Sequence, residues 1–236
     1  MNSRAISANS LSFEALKAKQ REIRDVFPEG VGLRVHRSLS WLGRAADEAG
    51  DADVRFILLW ISFNAAYAAD IGDADVGERA AFAAFFDQVV RLDKGRRLYN
   101  AVWQRFSQEI RLLLSNQYVF GPFWRHVNGI DGFENWQERL TLSNRSIAHY
   151  IARQDTARIL SAVFDRLYVL RNQLIHGGAT WESSVNRAQV RDGAAVLAWM
   201  VPIFIDLIMD NPDEEWGRPF YPVVPAEGSG NAKAPG

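Results

Sequence analysis

Cysteine is missing from all 236 residues, which excludes disulfides, thiolate zinc sites and cysteine nucleophiles at once. An excess of positive charge is missing too. Twenty-seven lysines and arginines stand against 28 acidic residues, a formal net charge of -1, so any site for a polyanion has to be a local patch. The longest apolar run, AAVLAWMVPIFI at 194–205, ends at Asp206 and falls short of the roughly 20 residues that span a bilayer. The opening stretch MNSRAISANSLSFEALKAKQ has neither the apolar core nor the small-residue cleavage site of a secretory leader. These absences lead to the expectation of a soluble, cytoplasmic protein with no membrane partner.

Signatures of common chemistries are equally scarce. No two of the four histidines, His36, His126, His149 and His176, have the spacing of a His-Glu-x-x-His zinc helix, and no Glu-x-x-His di-iron pattern occurs. A glycine-rich loop ending in Lys-Ser or Lys-Thr is absent, as is a Gly-x-Ser-x-Gly elbow. We therefore expect no metal and no cofactor, and chemistry confined to arginine, histidine and polar side chains. No segment alternates as a strand would and no long repeat appears, so the fold class expected is all-α, an up-and-down helical bundle with additional helices inserted between its core helices.

What is present is helical periodicity. Hydrophobic residues make up 48% of the chain and charged ones 23%, a balance suited to one globular domain with length left for tails or insertions. Residues 1–30 read as a partly flexible extension, 31–210 as a single helical domain, and 211–236, rich in proline and small polar residues, as an extended or disordered tail. Val35, Leu39, Leu42, Ala46 and Ala49 make one stripe, stopped at Gly50. In DVRFILLWISFNAAYAAD, Phe56, Trp60, Phe63 and Tyr67 occupy one side and Ile57, Ile61 and Asn64 another, the mark of a helix central in its bundle. IGDADVG reads as a turn. Phe82, Phe85, Phe86, Val89 and Val90 define a short helix, and Leu98, Val102, Phe106 and Ile110 a longer one. The segment 117–135 has glycines, a proline and aromatics without period and reads as an ordered loop. Trp136, Leu140, Ile147 and Ile151 suggest another helix, interrupted by Ser143. From the N-cap candidates Asp155 and Thr156 runs the clearest stripe, Leu160, Val163, Phe164, Leu167, Leu170 and Leu174, ending at Gly177-Gly178. A last helix covers about 187–210, with Pro202 set to kink it or mark its effective start.

The clearest stripe carries three polar residues at its end. In RNQLIHGG, Arg171 and His176 are five apart and diverge by about 140° on an ideal helix, while Asn172 and His176, four apart, share a face. Basic groups in a last turn also oppose the helix dipole, worth about 0.3–1 kcal/mol at exposed sites. Local chemistry thus leaves two readings, a helix end and a polar site.

An arginine, a polar residue such as Asn, and a histidine after four to six intervening residues, near the end of an apolar helix, resembles the HEPN superfamily (higher eukaryotes and prokaryotes nucleotide-binding). LLWISFNAAYA is similar to the aromatic-rich core helix of some bacterial members, and the helical context extends the resemblance over about residues 33–210. The resemblance implies a bundle of four or more helices that often dimerises. In many members it implies a metal-independent endoribonuclease, with Arg and His lining a cleft between two protomers. Carried over by motif position, Arg171, Asn172 and His176 are the catalytic candidates, RNA the substrate, and a homodimer the assembly. A toxin-antitoxin or antiviral setting, with an antitoxin or regulatory protein as partner, is implied likewise. One toxin branch has a tyrosine two positions after the histidine; here Gly178 stands there, so regulation through a modified tyrosine at that place is not expected. Other members have lost nuclease activity, which keeps a non-catalytic module binding RNA, nucleotide or a protein as the alternative, and a purely structural domain as a third.

Metal-free RNA cleavage needs the ribose 2′-hydroxyl deprotonated, the phosphorane stabilised and the leaving 5′-oxygen protonated. Histidine, whose ordinary pKa is about 6.5, offers both protonation states near neutrality, and two copies of His176 in one cleft would supply both tasks. Arg171 suits non-bridging phosphate oxygens, and Asn172 would orient the histidine or the sugar-phosphate. Lys94, Arg96 and Arg97 read as a solvated helix start before RNA contacts. Arg145, His149 and Arg153 read as surface decoration or a basic rim. Trp60, Phe63 and Tyr67 read as core, and Asn64 as a hydrogen-bonding group inside the bundle, reaching toward the Arg171 helix.

Overall fold

The computed structural model describes residues 11–68, 78–184, 186–219 and 221–222. Among them are ten α-helices and no strand: α1 (Phe13–Ile23), α2 (Glu29–Asp47), α3 (Ala52–Tyr67), α4 (Glu78–Leu92), α5 (Arg97–Asn100), α6 (Ser107–Ser115), α7 (Gly121–Val127), α8 (Trp136–Ala152), α9 (Thr156–Ile175) and α10 (Arg187–Asp210). The protein is an all-α helical bundle.

Helix α3 is central, as its apolar circumference requires. It packs chiefly against α2 and α10 and also touches α9, while α9 lies on α4, α6 and α8. Asp51 caps its start, accepting from the backbone N–H groups of Asp53 and Val54 at 3.0 Å each, which satisfies donors a helix start leaves free. Phe63 is fully buried and lies 4.4 Å from the Phe164 ring of α9, 5.9 Å from Phe204 of α10 and 6.1 Å from Phe86 of α4. Four helices therefore meet at one aromatic knot, whose large side chains contribute most through area removed from water. Where α2 and α3 cross, Ser38 Oγ donates to the Ser62 carbonyl at 2.6 Å and Ser62 Oγ to that of Ser38 at 2.8 Å. These small residues let the two backbones approach and leave no buried hydroxyl unpaired.

Several expectations meet a different outcome. Part of the leading segment forms α1, capped by Ser12 with Leu16 buried, because its apolar side finds α2 and α10 to cover it. The helix expected through Leu98 and Ile110 is broken: α5 passes into a π-turn over Ala101–Arg105, closed by the Phe106 N–H on the Ala101 carbonyl at 2.9 Å, before α6 begins. The segment expected as a loop holds a 3-10 turn at Gln117–Val119 and then α7, with Pro122 in its first turn, where a missing N–H costs nothing. Pro202 neither starts nor ends α10, which runs continuously past it. This helix is long and apolar enough to cross a bilayer, yet most of its apolar window is buried in the bundle. The turn expected at 71–77 lies outside the described residues.

Beyond α10 the backbone turns back onto the bundle. Trp216 is buried, its Nε1 donating to the Asn211 carbonyl at 2.8 Å. Arg34 of α2, 1% exposed, spreads its guanidinium over four carbonyl oxygens: Ala66 at 2.7 Å and Ala68 at 2.9 Å at the end of α3, and Trp216 at 2.9 Å and Gly217 at 3.2 Å. Burial pushes this guanidinium down to about 10, still charged at neutrality. Arg97, read as part of a solvated helix start, is instead a half-buried tie: it pairs with Asp93 at 3.3 Å and with Asp206, which Lys19 reaches at 2.6 Å. That network joins α1, α5 and α10.

Candidate functional site

The end of α9 follows from its sequence. His176 is the cap residue, its N–H on the Asn172 carbonyl at 3.0 Å, and Gly177 takes φ +70. The N–H groups of Gly177 and Gly178 then reach the Leu174 and Gln173 carbonyls at 3.4 and 2.8 Å, the paired closure that a left-handed residue after a helix permits. Open space surrounds the position a Gly177 Cβ would take, so only backbone strain opposes a side chain there. Gly177→Ala is expected to lower stability by about 1–2 kcal/mol, and Gly177→Asn by less, since Asn visits this region more readily. Thermal melts of the two variants check the order.

This turn sets His176, exposed to solvent, beside a groove of about 870 Å³. One wall is α9, with Asp165, Tyr168, Asn172 and His176; the other is α7, the turn after it and the start of α8, with Trp124, Arg125, Phe133 and Arg139. Asn172 and His176 therefore line the same groove, as their spacing requires. Arg171 does not line it. Its Nη1 donates to Asn172 Oδ1 at 2.8 Å, and its Nε is buried without a hydrogen-bond partner. The divergence inherent in a five-residue step is thus kept, and the arginine joins the pair through the asparagine. Gln173, between them, is fixed at both ends of its amide: Nε2 donates to the Tyr118 carbonyl at 2.6 Å and Oε1 accepts from Asn186 Nδ2 at 2.8 Å.

The chain after His176 is anchored by the start of α3. Trp181 Nε1 donates to Asp51 Oδ2 at 2.8 Å, and Asp53 Oδ2 accepts from the Glu182 N–H at 3.2 Å and from Arg187 at 2.6 Å. Glu182 and Asn186 both take left-handed backbone here, at φ +53 and +63, a conformation that persists only where the surroundings hold it. The Asp51 carboxyl is held below its usual range, first by the Val54 N–H. A carboxylate lowered by folding gives its stabilisation above the unfolded pKa, about 3.9, and loses it as pH falls through the folded value. Amide-exchange protection at the start of α3, where the Asp53 and Val54 N–H groups bond to Asp51, is therefore expected to hold at neutral pH and drop below about pH 4. In Asp51→Asn that acid-dependent component should be much reduced.

Other sequence candidates fall elsewhere. Lys94 donates to the Arg91 carbonyl and Arg96 lies 4.0 Å over the Tyr99 ring. Arg145 and His149 on α8 and Arg153 just after it are exposed, Arg153 Nη1 standing 3.5 Å from His149 Nε2, and none of the three lines the groove. Asn64 Oδ1 is buried without a hydrogen-bond partner, so the expected bond toward the Arg171 helix is not made, and nothing in the structure explains the orphaned oxygen. Among the described residues no group of three or more His, Asp or Glu side chains is placed to hold a metal ion. Trp124, Arg125, Phe133 and Arg139, which also line the groove, were not expected from the sequence. The available signal was that aromatics at 117–135 occur without helical period, so packing alone did not account for them. The chain matches no family model, no curated protein and no solved structure.

Proposed function

We propose that this protein is a metal-independent endoribonuclease of HEPN type, with His176 as the proton-transfer group. The observation that carries the reading is that Asn172 and His176 line one solvent-open groove while Arg171 is hydrogen-bonded to Asn172. In the proposed chemistry a neutral His176 takes the 2′-hydroxyl proton and a protonated one gives a proton to the leaving 5′-oxygen. A second copy of the chain in a homodimer supplies the second histidine. Asn172 orients the sugar-phosphate, and Arg171 turns toward the phosphorane or holds Asn172 for it. The setting, a cytoplasmic toxin restrained by an antitoxin or an antiviral effector, follows from the resemblance alone.

One observation favours a second reading, a non-catalytic module that binds RNA, nucleotide or a protein: Arg171 is engaged beside the groove, outside its lining. Purified protein incubated with mixed RNAs in EDTA separates the two. Products ending in 2′,3′-cyclic phosphate or 3′-phosphate support the nuclease. Binding without such ends supports the module.

A further inference from the structure

The wall of the groove opposite α9 carries two guanidinium groups whose placement the proposed chemistry does not use. Arg125 lies 5.0 Å and Arg139 4.7 Å from the centre of the Phe133 ring, so two cations flank one aromatic side chain. Other arginines do meet carboxylates: Arg97 meets Asp93 and Asp206, Arg187 meets Asp53, and Arg91 meets Glu214. Neither Arg125 nor Arg139 has an ion pair among those found within 4.0 Å in the described residues. Glu134 supplies Arg139 with a partial counter-charge, but neither guanidinium is tied to a carboxylate, so both are open to a stronger pairing with an incoming anion. Arg139 is fixed in place by donating to Asn135 Oδ1 and to the Gly132 carbonyl, at 2.8 Å each, whereas Arg125 is exposed. Two acids stand near. Asp165 lines the α9 wall, and Glu134 is tied to the Gly132 N–H at 3.1 Å.

Aromatic surface accompanies the charge. Trp124 on the α7 wall and Tyr168 on the α9 wall both line the groove, and each is partly exposed. Trp124 is braced by its Nε1 on the Tyr118 carbonyl at 2.7 Å. Unpaired bases stack on such rings, while bases inside a duplex cannot reach them.

We propose that the α7–α8 wall is a binding element for single-stranded RNA: Arg125 and Arg139 hold successive backbone phosphates, and Trp124 and Tyr168 receive an unpaired base between the walls. The inference rests on the nuclease reading for the identity of the ligand as RNA, and it assigns the phosphate-holding role to residues outside the Arg171–His176 motif. Planar guanidinium groups suit paired phosphate oxygens, and the groove volume falls in the range of about 300–1,000 Å³ usual for bound small molecules or a strand segment of that size.

The test measures fluorescence anisotropy of the full chain with a short single-stranded oligoribonucleotide carrying 2′-O-methyl groups, which cannot be cut at the 2′-oxygen. Arg125→Gln and Arg139→Gln are each expected to weaken binding about tenfold. Together they should flatten the slope of log affinity against log salt by about 1.4, two phosphates at about 0.7 each. Arg145→Gln, on α8 away from the groove, should leave binding unchanged, and duplex RNA of the same sequence should bind more weakly. Arg139→Gln removes two hydrogen bonds of the wall, so if its melting temperature falls, Arg125→Gln alone decides. Failure of the wild type to bind overturns the proposal, as does binding by the double variant equal to wild type, an equal loss in Arg145→Gln, or duplex binding as tight as single strand. Cleavage in EDTA is scored separately: binding that depends on Arg125 and Arg139 without cleavage overturns the nuclease reading alone, and cleavage indifferent to both arginines overturns the binding element alone.

Discussion

His176→Ala is expected to lower RNA cleavage in EDTA by about 10²–10⁴-fold, the usual worth of one general acid or base. The side chain is exposed at the mouth of the groove and its backbone, not its ring, closes α9, so alanine should leave the fold intact. An unchanged melting temperature checks that. Asn172→Ala should cost less, because the asparagine positions and does not transfer a proton. Arg171 has two expected signatures. If it meets the phosphorane, Arg171→Lys lowers kcat with KM nearly unchanged; if it only holds Asn172, the double variant with Asn172→Ala is no worse than Asn172→Ala alone. A shared site also has a concentration signature. With one histidine from each of two copies, specific activity falls on dilution, and a wild-type rate per chain independent of concentration would sink the two-copy mechanism. Equal cutting by His176→Ala and wild type would sink the proton-transfer role itself.

Arg34→Ala is expected to be the most damaging substitution outside the aromatic knot. It removes a 1% exposed side chain and strands four carbonyl oxygens, two at the end of α3 and two in the chain after α10. A buried carbonyl left without its donor typically costs about 1–3 kcal/mol, so a total loss of about 3–5 kcal/mol is expected, which for a chain of this size is roughly 6–20 °C in Tm. The loss has a location as well. Residues 216–217 should become open to limited proteolysis before the bundle melts, since Arg34 and the Trp216 side chain hold them. Arg34→Lys should fall between, because an ammonium has three donors and no planar fork. A melting temperature for Arg34→Ala within a degree or two of wild type would contradict this account of the tail.

Much of the scaffold was legible because buried helices leave a period. The α9 stripe, its Asp155 cap, accepting from the Arg158 N–H at 3.2 Å, and its stop at Gly177 could be read from side-chain types alone. The central place of α3 was legible in the same way, from apolar residues on most of its circumference. The break before α6 was not, because Leu98, Val102, Phe106 and Ile110 are all buried and keep a helical spacing across the π-turn. Helix α7 has no buried residue, so no apolar stripe announced it. Arg97 shows the limit of reading charge runs: its partner Asp206 is 109 positions away, and only the fold brings them together. The site was half legible. Spacing put Asn172 and His176 on one face and warned that Arg171 would diverge, as it does. The other wall depends on Arg125 and Arg139 both lying against the Phe133 ring, a tertiary arrangement with no local signature.

The two walls of the groove differ in how firmly they are fastened. Helix α9 buries nine of its side chains, whereas α7 buries none and α8 only Ile147. Segments with few buried apolar contacts open at a lower free energy than the core they lean on, and exchange their amide hydrogens sooner. The groove therefore has a rigid side, which keeps Asn172 and His176 in register, and a compliant side, which can yield in width without disturbing them.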